Sequence, residues 1–256
     1  MSQLRRTASS QRQNTQWRST DSERLEAGLN TLGLHLEARQ LARLNQWAAL
    51  LLQWNHTYNL LGNSDTRVLI DEHLLDSLAI VPSVERHLPD PQAPLADIGS
   101  GAGFPGILLA IMHPERPIAL VEPVGKKAAF LRQSALTLGL KCVNIHAQRL
   151  EALNQLDVGG DDPNFICRAF TALGRYAALC SPFMSERSLA FAMKSAKLPE
   201  EQRELPAEIT LDAIETLPTA MPNTQRFLAV LRKHTGHSPV HAQPMNAEPT
   251  DRRRLA

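Results

Sequence analysis

LADIGSGAGFPG, residues 95–106, is the segment from which the architecture of this chain can be read. A short apolar run ending in Asp97 and Ile98 meets Gly99, Gly101 and Gly103, then opens into ILLAIM at 107–112. That is the pattern of a buried strand turning sharply into a helix. Glycines at alternate positions permit φ > 0 and carry no Cβ, so the backbone can pass close against a ligand at the helix N-terminus. Pro105 suits a first helical turn, where N–H groups lack partners anyway.

Beyond Pro117 a second apolar run, IALVE, ends in Glu122, 19 residues past Gly103. An acid at that distance is where a doubly wound fold holds the hydroxyls of an adenosine ribose. Strand, glycine turn, helix, strand and acid in this order point to an adenosine-containing cofactor. Two cofactors compete. A dinucleotide site has G-x-G-x-x-G with a pyrophosphate on the helix N-terminus. Here G-x-G-x-G is followed by Phe-Pro-Gly. Reading Gly101, Gly103 and Gly106 in register restores the dinucleotide pattern, but Pro105 then removes an amide that a pyrophosphate would use. The residues favour S-adenosylmethionine (SAM) over NAD.

Outward from the turn, strands are expected at 94–98, 118–122, 142–146, 164–168 and 188–193, with helices at 105–113, 125–138, 149–154 and 172–180. Such alternation implies a parallel sheet with right-handed crossovers. Two late strands, 209–215 and 225–231, are joined by LPTAMPNT, too short for a crossover helix, so they pair as an antiparallel hairpin. The expected fold class is α/β: a Rossmann-like, SAM-dependent methyltransferase fold with a mostly parallel seven-stranded sheet and a C-terminal antiparallel hairpin. A small helical subdomain precedes it over 21–90, and the methyltransferase domain runs over 91–233.

In the helical part, Thr20 and Glu23 suggest a capping box before Leu25, Leu29 and Leu32, with Gly33 ending the helix. Leu41, Leu44, Ala48 and Leu51 recur at helical spacing beside Trp47 and Trp54, read as core, with RNA stacking the other reading. Asn55 and Asn59 fall in the loop-like WNHTYNLLGNSD. Asp65 or Thr66 caps a helix through VLIDEHLLDSLAIV, where His73 and Asp76 share a face. Four prolines, from Pro82 to Pro94, punctuate the passage to the glycine turn.

Composition sets limits. The chain has 256 residues, 43% of them hydrophobic, and a net charge of +1, which does not announce a nucleic-acid binder. There is no run of 18 apolar residues and no apolar stretch in the first 20, so neither a membrane span nor a secretion signal is expected. Cys142, Cys167 and Cys180 lack metal-ligand spacing; a reduced, cytoplasmic protein without a metal is the natural reading. The arginine-bearing segment 1–20 reads as a disordered basic arm and 234–256 as a disordered tail.

Five motifs in order now carry a resemblance: WNxxxNL at 54–60, HLLDSLA at 73–79, DIGSGAGFPGI at 97–107, GKKxxFL at 125–131 and RAF at 168–170. Together they resemble the bacterial small-subunit rRNA guanine-N7 methyltransferases, the RsmG or GidB family, from about residue 24 to 232. The resemblance implies methylation of N7 of a guanine in the 530 loop of 16S rRNA, with the small ribosomal subunit as partner and a monomeric enzyme. Its cofactor site would use Gly99, Gly101, Phe104, Leu150, Glu151 and Arg168, to which spacing adds Glu122. Asn55, His73, Lys126, Lys127, Arg149 and Lys194 are candidates for RNA contact, and Arg168 and Lys194 for orienting the base. Leu61 and Ser195 stand where the family commonly has threonine and glycine. Because N7 carries a lone pair and no proton, no general base is needed. The cysteine of C5 methylation and the Asp/Asn-Pro-Pro-Tyr/Phe of amine methylation are missing. A SAM enzyme acting on a small molecule or protein, and a non-catalytic RNA-binding factor, are the other readings.

Overall fold

A computed structural model describes residues 16–195, 204–221 and 223–234. Most of the expected arm and tail, and the break expected at Pro199, lie outside the described residues. Ser19 and Thr20 belong not to an arm but to the first helix, α1 (Ser19–Thr31). Its cap is Arg18, whose N–H donates to the Asp21 carboxylate, two residues earlier than the expected Thr20–Glu23 box.

Helix α2 (Ala38–Tyr58) buries Leu44, Trp47, Ala48, Leu51, Leu52 and Asn55, the i, i+3, i+4 rhythm of one helical face. Asn59 ends it at φ +48°, a left-handed conformation that asparagine tolerates. Helix α3 begins at Thr66–Val68, where the Asp65 carboxylate accepts from the Arg67 N–H, and runs on through a π-helical segment, Leu69–Leu75, into Asp76–Leu78. Helix α4 (Val81–His87) was not expected. Pro82, taken as punctuation, sits in its first turn, where a missing N–H costs nothing.

The sheet follows with β1 (Leu95–Ile98), α5 (Gly106–Met112), β2 (Ile118–Val121), α6 (Gly125–Leu138) and β3 (Val143–His146). A 3₁₀ turn at Leu150–Ala152 precedes β4 (Asn164–Arg168), α7 (Leu173–Cys180), β5 (Leu189–Lys194), β6 (Ile209–Leu217) and β7 (Arg226–Lys233). The order is β3-β2-β1-β4-β5-β7-β6. The first five strands are parallel, β7 runs antiparallel to β5, and β6 pairs antiparallel with β7. The hairpin is therefore at the sheet edge as expected, with the final strand inserted between β5 and β6.

Period-two alternation divides the strand side chains between two cores. Leu95, Ile118 and Leu120 join the core shared with α2 and α5, whereas Ala96, Ala119 and Val121 face the core under α7. The helices α1 to α4 share their core continuously with the first sheet face. Trp47 is its hub: fully buried, it donates from Nε1 to Ser134 Oγ at 3.1 Å and packs edge-on against Phe104 at 5.1 Å. Satisfying the indole N–H inside an apolar cluster is what lets a tryptophan be buried whole. Both tryptophans thus pack as core, Trp54 lying against Phe130 and Tyr58. The strand order reverses between the parallel neighbours β1 and β4, and the carboxyl ends of strands at such a switch point are where open α/β sheets bind ligands.

Candidate cofactor and base site

The glycine turn leaves β1 with Gly99 at φ +72° and Gly101 at φ +60°. Both amides after β1 are anchored: Gly99 and Ser100 N–H donate to the Val121 carbonyl at 2.9 and 3.2 Å. Gly106 is demanded by close approach, since a Cβ there would stand 2.6 Å from an Asp97 carboxylate oxygen. The Gly106 N–H instead donates to Asp97 Oδ2 at 2.9 Å, clamping the start of α5 to β1. Asp97 is fully buried and its Oδ1 has no hydrogen-bond partner among the described residues. Burial pushes this carboxyl up to about 8, against the Gly106 hydrogen bond, which pulls the other way.

Glu122 stands just past β2, 4% exposed. Its Oε2 accepts from the Gly101 N–H and its Oε1 from the Val124 N–H, both at 2.8 Å. The acid therefore ties the glycine turn to the loop after β2. An amide cannot accept twice in this geometry, because its NH₂ would oppose one backbone N–H. Glu122→Gln is expected to weaken SAM binding about tenfold in calorimetry, the loss of about one charged hydrogen bond. Unchanged affinity would remove Glu122 from the site.

A cavity of 210 Å³ opens over the turn, lined by Ile98, Gly99, Val121, Leu150, Glu151 and Phe170, with Arg149 and Arg175 at its rim. Of the residues expected to hold cofactor, Gly99, Leu150 and Glu151 line it. Gly101, Phe104, Glu122 and Arg168 do not, although Gly101 and Glu122 are hydrogen-bonded to each other in the turn beside it. Phe104 is 7% exposed and lies beneath the turn between Trp47 and His73. Arg168 caps that ring, its guanidinium 5.7 Å from the centroid, and belongs to a neighbouring cavity.

That second cavity, 410 Å³, lies at the ends of β4 and β5 and is walled by Asp76, Arg168, Phe170, Thr171, Lys194 and Arg226. Asp76, 5% exposed, accepts from Arg168 Nε at 2.9 Å and from Arg226 Nε at 2.6 Å. Arg168 also donates to the Glu72 carbonyl. Lys194 Nζ donates to the Thr171 carbonyl at 2.5 Å. Between the cavities Ala169 adopts φ +51°, a left-handed conformation costing an alanine about 1–2 kcal/mol. It turns Phe170 outward so that the ring crosses Gly99, whose added Cβ would lie 2.3 Å from it.

The remaining RNA candidates fare differently. Asn55 is buried and taken up by its own loop, donating to the Asn63 carbonyl and Ser64 Oγ and accepting from the Leu61 N–H. It builds the turn and is not presented to RNA. Lys126 donates to the Tyr58 carbonyl at 2.7 Å, a cation on a helix C-terminus tying α6 to α2. Lys127 is half-buried in the first turn of α6, and Arg149 is exposed beside the first cavity. His73 packs on Phe104; burial first, then the Arg168 guanidinium, hold its imidazole down to about 4, so it is neutral at pH 7. His113, buried beside Arg116, is likewise lowered to about 4. Their unfolded forms take up protons near 6.5, so stability present above pH 6.5 is lost as pH falls towards 4. Urea melts across that window should show it, and His113→Gln should flatten the slope. Arg226, Asp76 and Phe170 escaped the sequence reading as site residues. The motifs HLLDSLA and RAF contain Asp76 and Phe170, but nothing local marks their roles, and Arg226 and Asp76 are 150 positions apart.

A seven-stranded sheet in this order, with a glycine turn after β1 and an acid after β2, defines the Rossmann-like fold of SAM-dependent methyltransferases. Two crystal structures of MtNAS share it. A variant in complex with S-adenosylmethionine is 14% identical with a TM-score of 0.53, covering 82% of this chain and 83% of that one. A second crystal structure of a variant has a TM-score of 0.54 at 13% identity, covering 76% and 74%. The chain belongs to the GidB family, rRNA small subunit methyltransferase G, whose model matches residues 40–228. Relatives named ribosomal RNA small subunit methyltransferase G agree: one from Acidovorax sp. (strain JS42) is 38% identical over 217 residues, covering 81% of this chain and 93% of the relative. Another, from Halorhodospira halophila, is 40% identical over 191 residues, covering 75% and 86%.

Proposed function

We propose that this protein transfers the methyl group of SAM to N7 of a guanine in the 530 loop of 16S rRNA. The observation that carries the reading is the Gly99–Glu122 turn, closed by two carboxylate hydrogen bonds, in a chain of the rRNA small subunit methyltransferase G family. The residues suit SAM. Val121, Leu150 and Ile98 give an apolar wall for an adenine; Glu122, the acid that its spacing assigns to the ribose, holds the turn through the Gly101 and Val124 N–H groups; and Gly99 leaves room for the Phe170 ring at the cavity edge.

SAM supplies an electrophilic methyl on a sulfonium. The protein's share is binding and alignment. N7 of guanine brings its own lone pair, so no residue must remove a proton, and neutral His73 is not asked to. Holding N7 in line with the methyl at near-attack distance can supply several kcal/mol of the barrier. The cationic wall of Arg168, Lys194 and Arg226 lies where an RNA loop with an unstacked base would enter. Among the described residues no helix is long and apolar enough to cross a membrane, and a ribosomal substrate would keep the enzyme in the cytoplasm.

Calorimetric titration separates this from the dinucleotide reading. SAM should bind one to one, and NAD should give no heat. Binding of NAD in place of SAM would overturn the assignment.

A further inference from the structure

We propose that the 410 Å³ cavity beside the cofactor cavity receives the target guanine, stacked on the exposed face of Phe170; this rests on the function just proposed. Several independent observations converge on it. Phe170 is 40% exposed on the loop just past β4, so a face of its ring is open to a ligand. Its backbone is aimed by strain: Ala169 holds φ +51° where a glycine would be relaxed. Strained residues of this kind cluster at ligand sites. Phe170 and Thr171 are also the shared wall of the two cavities, so a base stacked there would lie next to whatever fills the first.

The charge of the second cavity fits one base edge. Two guanidiniums share one carboxylate, Asp76, and the Lys194 ammonium adds to them, leaving the wall with an excess of positive donors. The Hoogsteen edge of guanine carries only acceptors, O6 and N7. Adenine puts an amino group where O6 would be, and a wall of donors rejects it. A donor from Arg226 or Arg168 on O6 orients the ring and leaves N7 free to attack. The aromatic face holds the plane, while the cations set the rotation of the base within it.

The test uses full-length protein, SAM and small ribosomal subunits lacking the modification. Phe170→Ala and Phe170→Leu should lower kcat/KM for methyl transfer about ten- to a hundredfold, the range set by one base stacked on one ring. Phe170→Tyr and Phe170→Trp should restore most of it. Because the ring also borders the cofactor cavity, SAM affinity by calorimetry should fall in Phe170→Ala and Phe170→Leu by clearly less than kcat/KM measured at saturating SAM, and circular dichroism should show each folded. The inference fails if Phe170→Leu transfers methyl as well as the native enzyme, since an apolar wall would then suffice. It fails also if the loss in kcat/KM is matched by the loss in SAM affinity, which would make Phe170 a cofactor wall. In both cases the native enzyme still methylates guanine N7, so the function itself stands. Failure of the native enzyme to methylate would sink both together.

Discussion

Gly99→Asp abolishes SAM binding, with at least a hundredfold loss of affinity in calorimetry, about 3 kcal/mol. Backbone strain is not the main cause, because aspartate tolerates the left-handed region better than most residues. The cost is steric. A Cβ at residue 99 would fall 2.3 Å from the Phe170 ring, and the carboxylate beyond it would occupy the floor of the cofactor cavity. Gly99→Asp should nonetheless fold, because the nearest atoms to its Cβ belong to the part-exposed Phe170 ring and its N–H bond to Val121 is retained. Normal SAM affinity in a folded Gly99→Asp would misplace the site.

Asp76→Ala acts on the other cavity and on stability. The carboxylate is 5% exposed and holds both Arg168 and Arg226, so truncation leaves two half-buried guanidiniums facing each other without an anion. Breaking such an arrangement costs about 3–5 kcal/mol. For a chain of this size that lowers Tm by roughly 6–20 °C. SAM affinity should survive at temperatures where the variant is folded, because Asp76 lines only the second cavity. Methyl transfer should not. An Asp76→Ala protein with native Tm and native transfer would show that the two arginines need no common partner.

Much of this was legible before the structure. The strand–helix alternation from 94 to 193 is written in apolar runs separated by turn residues, and the hairpin follows from the shortness of LPTAMPNT. The glycine turn is legible because its glycines answer to purely local needs, positive φ at Gly99 and close approach at Gly106. What was hidden has equally physical causes. Pro82 reads as a break, yet a proline in a first helical turn is compatible with α4. The π-helical segment Leu69–Leu75 adds residues to a turn without changing the apolar pattern, so His73 and Asp76 meet Arg168 by a geometry no periodicity announces. Phe104, which the resemblance puts in the cofactor site, packs between Trp47 and His73 and does not line the first cavity. Asn55 and Lys126 were assigned outward roles by residue type, whereas each folds the end of α2. The Arg226–Asp76 pair is a contact of tertiary structure alone.

The central claim is best tested by supplying labelled-methyl SAM and this protein to small ribosomal subunits from cells lacking the gene, then mapping the product by cleavage at 7-methylguanosine. One labelled guanine, in the 530 loop of 16S rRNA, is the predicted result. Label at any other atom or nucleotide, or none at all from a protein that binds SAM, would contradict it.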